Sequence, residues 1–238
     1  MALSPETNEA FLREVDEQVR LDTAARVWKS WGRVLIGVVV AALLGFGGYL
    51  WWQNDRATRA GVEGEAMSLA LDDLSGGNIA KAEGELAKLT SSSTPGYKAA
   101  AKLALAASKL GKDDAKGAAA DFAAIAADTS LAQPYRDLAT VRQVAALFDT
   151  MKPEEAIAKL KPLAVAGKPF FGSAGEMTAV ALMKMNKPRE AGAMFAALAK
   201  DEGVPESIRS RAVQLAGVLG VDVTPAGATS NAQGGNGK

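Results

Sequence analysis

Neither histidine nor cysteine occurs among the 238 residues. The first absence removes the commonest general base and the commonest metal ligand. The second removes thiol nucleophiles, thiolate metal sites, disulfides and an acylated lipoprotein cysteine. A one-signed charge is missing as well, since Lys+Arg and Asp+Glu both number 27. No global field therefore draws in nucleic acid or an acidic substrate. Aromatic residues make up 6% of the chain, and β-branched residues are sparse through runs such as Ala99 to Ala107 and Ala118 to Ala127. Alanine is the best helix former, so the body of the chain is expected to be all-α.

The remaining acidic residues do not assemble into chemistry. Asp72-Asp73, Asp113-Asp114 and Glu154-Glu155 are adjacent pairs whose side chains diverge around a helix. At helix starts, negative charge complements the macrodipole, and that explains Asp113-Asp114 and Glu154-Glu155 better than catalysis does. Gly45-Phe46-Gly47-Gly48 and Gly234-Gly235 follow no strand, and no G-K-[ST] occurs, so no phosphate loop is supported. The expectation is a protein with no catalytic residue, no metal and no cofactor.

One long apolar run is present. Val34 to Trp52 reads VLIGVVVAALLGFGGYLWW, with no charge between Arg33 and Asp55. Its nineteen residues span about 28 Å as a helix, close to the hydrocarbon thickness of a bilayer. Ten of them are Leu, Ile, Val or Phe, which favours insertion by roughly 3–6 kcal/mol in total. All four tryptophans flank it: Trp28 and Trp31 before, Trp51 and Trp52 at its end, as expected for interfacial anchors. A cleaved signal peptide fits poorly. The 33 residues before the run are too many, and no small-x-small site follows Trp52. Arg20, Arg26, Lys29 and Arg33 precede the span, whereas only Arg56 and Arg59 follow closely, so the N-terminus is expected inside. Within the span Gly37, Ala41 and Gly45 recur every four residues, with Gly48 near the same face, a stripe suited to packing another helix.

Ahead of the span, Ser4-Pro5 reads as a helix start, and Phe11, Val15 and Val19 repeat on one face of a short amphipathic helix. Beyond it, breaks at Gly76-Gly77-Asn78, Ser91 to Gly96, Gly111-Lys112, Thr129 to Pro134, Lys152-Pro153, Gly167 to Pro169, Asn186 to Pro188 and Gly203 to Pro205 separate helical runs. These runs repeat. Ala82/Leu86/Leu89, Ala118/Phe122/Ile125, Ala156/Leu160/Leu163 and Ala191/Phe195/Leu198 place a small residue and then large apolar ones four and seven positions on. One helical face is thus written four times, its small residues 36, 38 and 35 positions apart. Pro95, Pro134, Pro169 and Pro205 separate successive pairs, while Pro162 falls inside a second helix and is expected to kink or end it.

The period, the small/large/large face and the closing proline resemble the tetratricopeptide repeat, which implies an α-solenoid of about four helix pairs whose surface binds proteins. The expected divisions are a cytoplasmic amphipathic tail at 1–33, a transmembrane helix at 34–52 and a juxtamembrane linker at 53–60. A repeat domain follows at 61–222 and a disordered tail at 223–238. The order of parts, with FLREVDEQVR, VWKSWGRVLIGVVV, YLWWQ and then degenerate repeats, resembles the ancillary-subunit family of the bacterial SecYEG translocon (YfgM-like proteins). That resemblance implies a single-pass inner-membrane protein with a periplasmic repeat domain. Its partners would be translocon subunits, periplasmic chaperones or exported chains, with self-association left open. A scaffold for envelope or cell-division machinery uses the same parts and stays open as the alternative.

Overall fold

The structure is a computed structural model that describes residues 5–223, with side chains described at residue 29 and from residue 31 onward. Among the described residues there are nine helices and no strand. They are α1 (Pro5–Ser75), α2 (Ile79–Leu89), α3 (Pro95–Leu110), α4 (Ala115–Ala127), α5 (Gln133–Leu147), α6 (Pro153–Leu160), α7 (Phe171–Lys184), α8 (Pro188–Lys200) and α9 (Glu206–Val218). The chain divides into two compact units at Gly61.

The first unit is α1 up to Gly61. Its apolar run is exposed along its length, with Leu43, Leu44 and Phe46 all open. An apolar helix with no protein against it is uncommon on a water-soluble surface, where such area costs about 25 cal/mol per Å². Residues 53–60, expected to be a linker, are helical within α1. The side chains of Phe11, Val15 and Val19 lie outside the described residues, as do residues 1–4 and the segment 224–238.

The second unit begins at Val62 and is built from stacked pairs. Four clusters of buried side chains follow one another along it, and each joins a helix pair to the helix after it. Met67 and Ala70 of α1, Leu86 and Leu89 of α2, and Ala101 of α3 form the first. Ala106 of α3, Ala118, Phe122 and Ile125 of α4, and Ala139 of α5 belong to the second. Val144, Ala156, Leu160 and Ala174 span α5 to α7, and Ala179, Ala191, Phe195, Leu198 and Ala212 span α7 to α9. A two-helix unit cannot bury its apolar face alone, so every pair borrows a small residue from its successor. Helix α9 does this for the last pair, and the chain then turns back so that Val221 contacts Gly192 and Val223 is buried.

Local signals set the helix limits. Proline stands at the start of α3, α5, α6 and α8, where its missing N–H is one of the orphaned donors. Asp114 caps α4, accepting from the Gly117 N–H at 2.8 Å. Pro162 ends a helix, as its position predicts: α6 has 8 residues against 13 in α4 and in α8. Past it, the N–H groups of Leu163 and Ala164 both reach the Leu160 carbonyl at 2.8 Å, which keeps Leu163 in the core.

Candidate functional site

The residues expected in the repeat core are all enclosed. Ala82, Leu86, Ala118, Phe122, Ala156, Leu160, Ala191 and Phe195 are each at most 2% exposed. Such residues position a surface and do not form one. The surface comes from the helices around them and from how successive first helices approach.

That approach depends on a contact the periodic pattern does not reveal. Tyr97, at the start of α3, lies so close to Gly64 of α1 that a Cβ on Gly64 would stand 2.5 Å from its hydroxyl oxygen. Tyr135 of α5 meets Gly96 of α3 in the same way, at 3.3 Å. Glycine at these places lets the next pair's aromatic ring close the gap between first helices. The signal in the sequence is a glycine-to-tyrosine spacing of 33 and then 39 residues, too irregular to stand out without the structure.

Polar links join neighbouring helices at the surface. Lys112, in the turn after α3, donates to Glu83 of α2 at 2.7 Å, and Ser108 of α3 donates to the same carboxylate at 2.9 Å. These two donors hold the Glu83 carboxyl below the ordinary range. Lys102 of α3 donates to Asp128 at 2.7 Å, and Ser130 donates to it from both backbone and hydroxyl. The Asp128 carboxyl is therefore held well below the usual range, chiefly by Lys102 and next by Ser130. Arg211 of α9 grips Glu176 of α7 through two bonds of 2.9 and 3.0 Å, which raises the guanidinium further. All these carboxylates are partnered by cations or hydroxyls. Among the described residues no group of three or more acidic side chains could hold a metal ion.

Surface cavities of the repeat unit include two beside α5. One of about 320 Å³ sits between the α3–α4 turn and the end of α5, lined by Asp113, Asp114, Lys116, Leu147 and Asp149 among others. The other, of about 240 Å³, lies where α6 stops short, between Gln133 and Asp137 of α5 and the Pro162–Phe170 connector. Arg142 and Ala145 of α5 and Ala107 of α3 are exposed on the first helices.

On α1, Trp31, Trp51 and Trp52 are exposed; the side chain of Trp28 lies outside the described residues. Ala41 is exposed, and a Cβ built on Gly37, Gly45 or Gly48 meets nothing within 4 Å, so the small-residue stripe is open. Residues 31–75 hold the one stretch, among the described residues, long and apolar enough to cross a membrane. Its most apolar window has a mean hydropathy of 2.2 and no buried residue.

Compared with known proteins, residues 26–216 match the sequence model of the tetratricopeptide repeat-like domain. The chain belongs to that family. The match takes in the apolar part of α1 as well as the helix pairs. Domains of this kind are protein–protein interaction modules and typically non-enzymatic. No curated protein matches the chain, and no solved structure does.

Proposed function

We propose that this chain is a membrane-anchored protein-binding module of a bacterial inner membrane. In this reading residues 34–52 span the bilayer once, residues 1–33 stay in the cytoplasm and the repeat unit stands in the periplasm. It works without catalysis, cofactor or nucleic acid, as an ancillary subunit beside the SecYEG translocon that shares emerging chains with periplasmic chaperones. The observation that carries the reading is the single family match over both the apolar helix and the helix pairs. A repeat surface tied to a bilayer acts on proteins that pass or reside there. The basic residues Arg20, Arg26, Lys29 and Arg33 ahead of the span favour the inside N-terminus, and the sequence order FLREVDEQVR, apolar run and YLWWQ favours the translocon.

Photocrosslinking in intact membranes tests it. One photoreactive residue replaces Val40 within the apolar run and another replaces Arg142, which is exposed on α5 and has no ion pair among the described residues. Translocon subunits captured from Val40 and periplasmic chaperones or exported chains captured from Arg142 are the expected adducts. Adducts confined to division or envelope-assembly proteins would refute the translocon assignment and leave a scaffold.

A further inference from the structure

Tyr49, Trp52, Arg56 and Arg59 recur at spacings of three, four and three, which places them on one face of α1. The two rings pack against each other, with centroids 6.4 Å apart. The Arg56 Cζ then lies 3.8 Å from the centroid of the Trp52 ring. Stacking engages the face of a guanidinium and leaves its in-plane N–H donors free. Arg56 is exposed and makes no ion pair among the described residues. Arg59, one turn on, is paired with Asp55 at 2.9 Å.

Depth distinguishes the two arginines. The apolar run ends at Trp52, and Arg56 follows it by about 6 Å along the helix, whereas Arg59 follows by about 10 Å. The headgroup layer is about 5–7 Å deep on each side of the hydrocarbon. Arg56 therefore lies at the depth of the phosphates, while Arg59 stands beyond that layer and is already neutralised. A guanidinium fixed on an indole, with its donors unspent, matches the two-oxygen edge of a phosphodiester.

We propose that Trp52 and Arg56 form a seat for the phosphate headgroup of an anionic phospholipid, in which Trp52 fixes the guanidinium and Arg56 binds the phosphate. The proposal rests on the reading of residues 34–52 as membrane-spanning. An anionic lipid carries a net charge that a zwitterionic one cancels, so the seat selects the former. At about 1 kcal/mol per arginine near the surface, selection is about fivefold.

The test uses the full chain in lipid nanodiscs of equal parts phosphatidylglycerol and phosphatidylcholine, with lipids retained on the protein counted by native mass spectrometry. Basic residues common to all the variants add the same enrichment, so the ratio of retained phosphatidylglycerol to phosphatidylcholine should be equal in the wild-type chain and R59Q and about fivefold lower in R56Q. Millimolar inorganic phosphate should leave the wild-type ratio unchanged. An R56Q ratio equal to that of the wild-type chain overturns the seat, and a wild-type ratio that drops on adding inorganic phosphate overturns its assignment to lipid. A chain that fails to enter the discs fails earlier and differently, because that outcome removes the spanning segment itself.

Discussion

Among the described residues four helix ends close on a residue with positive φ: Gly77 after α1, Asp113 after α3, Asn186 after α7 and Gly220 after α9. In each case the next N–H reaches back five residues, from Asn78 to Asp73, Asp114 to Lys109, Lys187 to Leu182 and Val221 to Ala216. This is the Schellman closure, and it satisfies carbonyls that the helix leaves orphaned. The break between α3 and α4 is legible as Gly111-Lys112, yet the left-handed residue there is Asp113. Glycine draws attention in a sequence because it tolerates that backbone freely, whereas aspartate and asparagine also tolerate it through local hydrogen bonding. Gly77 carries a φ of +81° with open space around its Cβ position, so a substitution there meets backbone strain and no clash. Gly77→Ala should therefore destabilise the repeat unit by about 1–2 kcal/mol, read as a lower denaturant midpoint with an unchanged slope.

At the scale of elements, the turn from α4 into α5 shows how charge ties one pair to the next. Asp128 ends α4, accepts from Lys102 of the preceding helix and shapes the turn through Ser130. Its folded pKa is depressed, as are those of Glu83 and Asp73, both paired chiefly with lysines. A depressed carboxylate contributes stability that is present above its unfolded pKa of about 4 and is lost as pH falls through the folded value. The thermal midpoint should accordingly be flat near neutrality and decline below about pH 4. Asp128→Asn should make that decline shallower, which an acid titration followed by circular dichroism would read. A decline equally steep in both proteins would remove Asp128 from the account. The helix pairs themselves were legible, because Ala118/Phe122/Ile125 and its three counterparts need only a 3.6-residue period to be seen. The Gly64–Tyr97 and Gly96–Tyr135 contacts were not, because they join different helices across irregular spacings and involve no periodic residue.

The whole molecule combines an exposed apolar helix with a tetratricopeptide repeat-like stack. Buried cluster follows buried cluster from Met67 to Val223, so the repeat unit is held by neighbour-to-neighbour packing. The sequence foretold this class because alanine at the crossing points and Leu or Phe four residues later are short-range features. The borrowing of Ala101, Ala139, Ala174 and Ala212 by the preceding pairs could not be read in the same way, since alanine is common on every face of this chain.

Passage of the apolar stretch through a membrane would divide the chain between two sides. Because the chain contains no cysteine, single cysteines report on it cleanly. Ser4→Cys and Ala107→Cys variants, treated in intact spheroplasts with a membrane-impermeant maleimide, give the most direct measurement. Cys at 107 should react at once, while Cys at 4 should react only after the membrane is permeabilised. Reaction of both cysteines, or of neither, in intact spheroplasts would rule out a single crossing with the N-terminus inside.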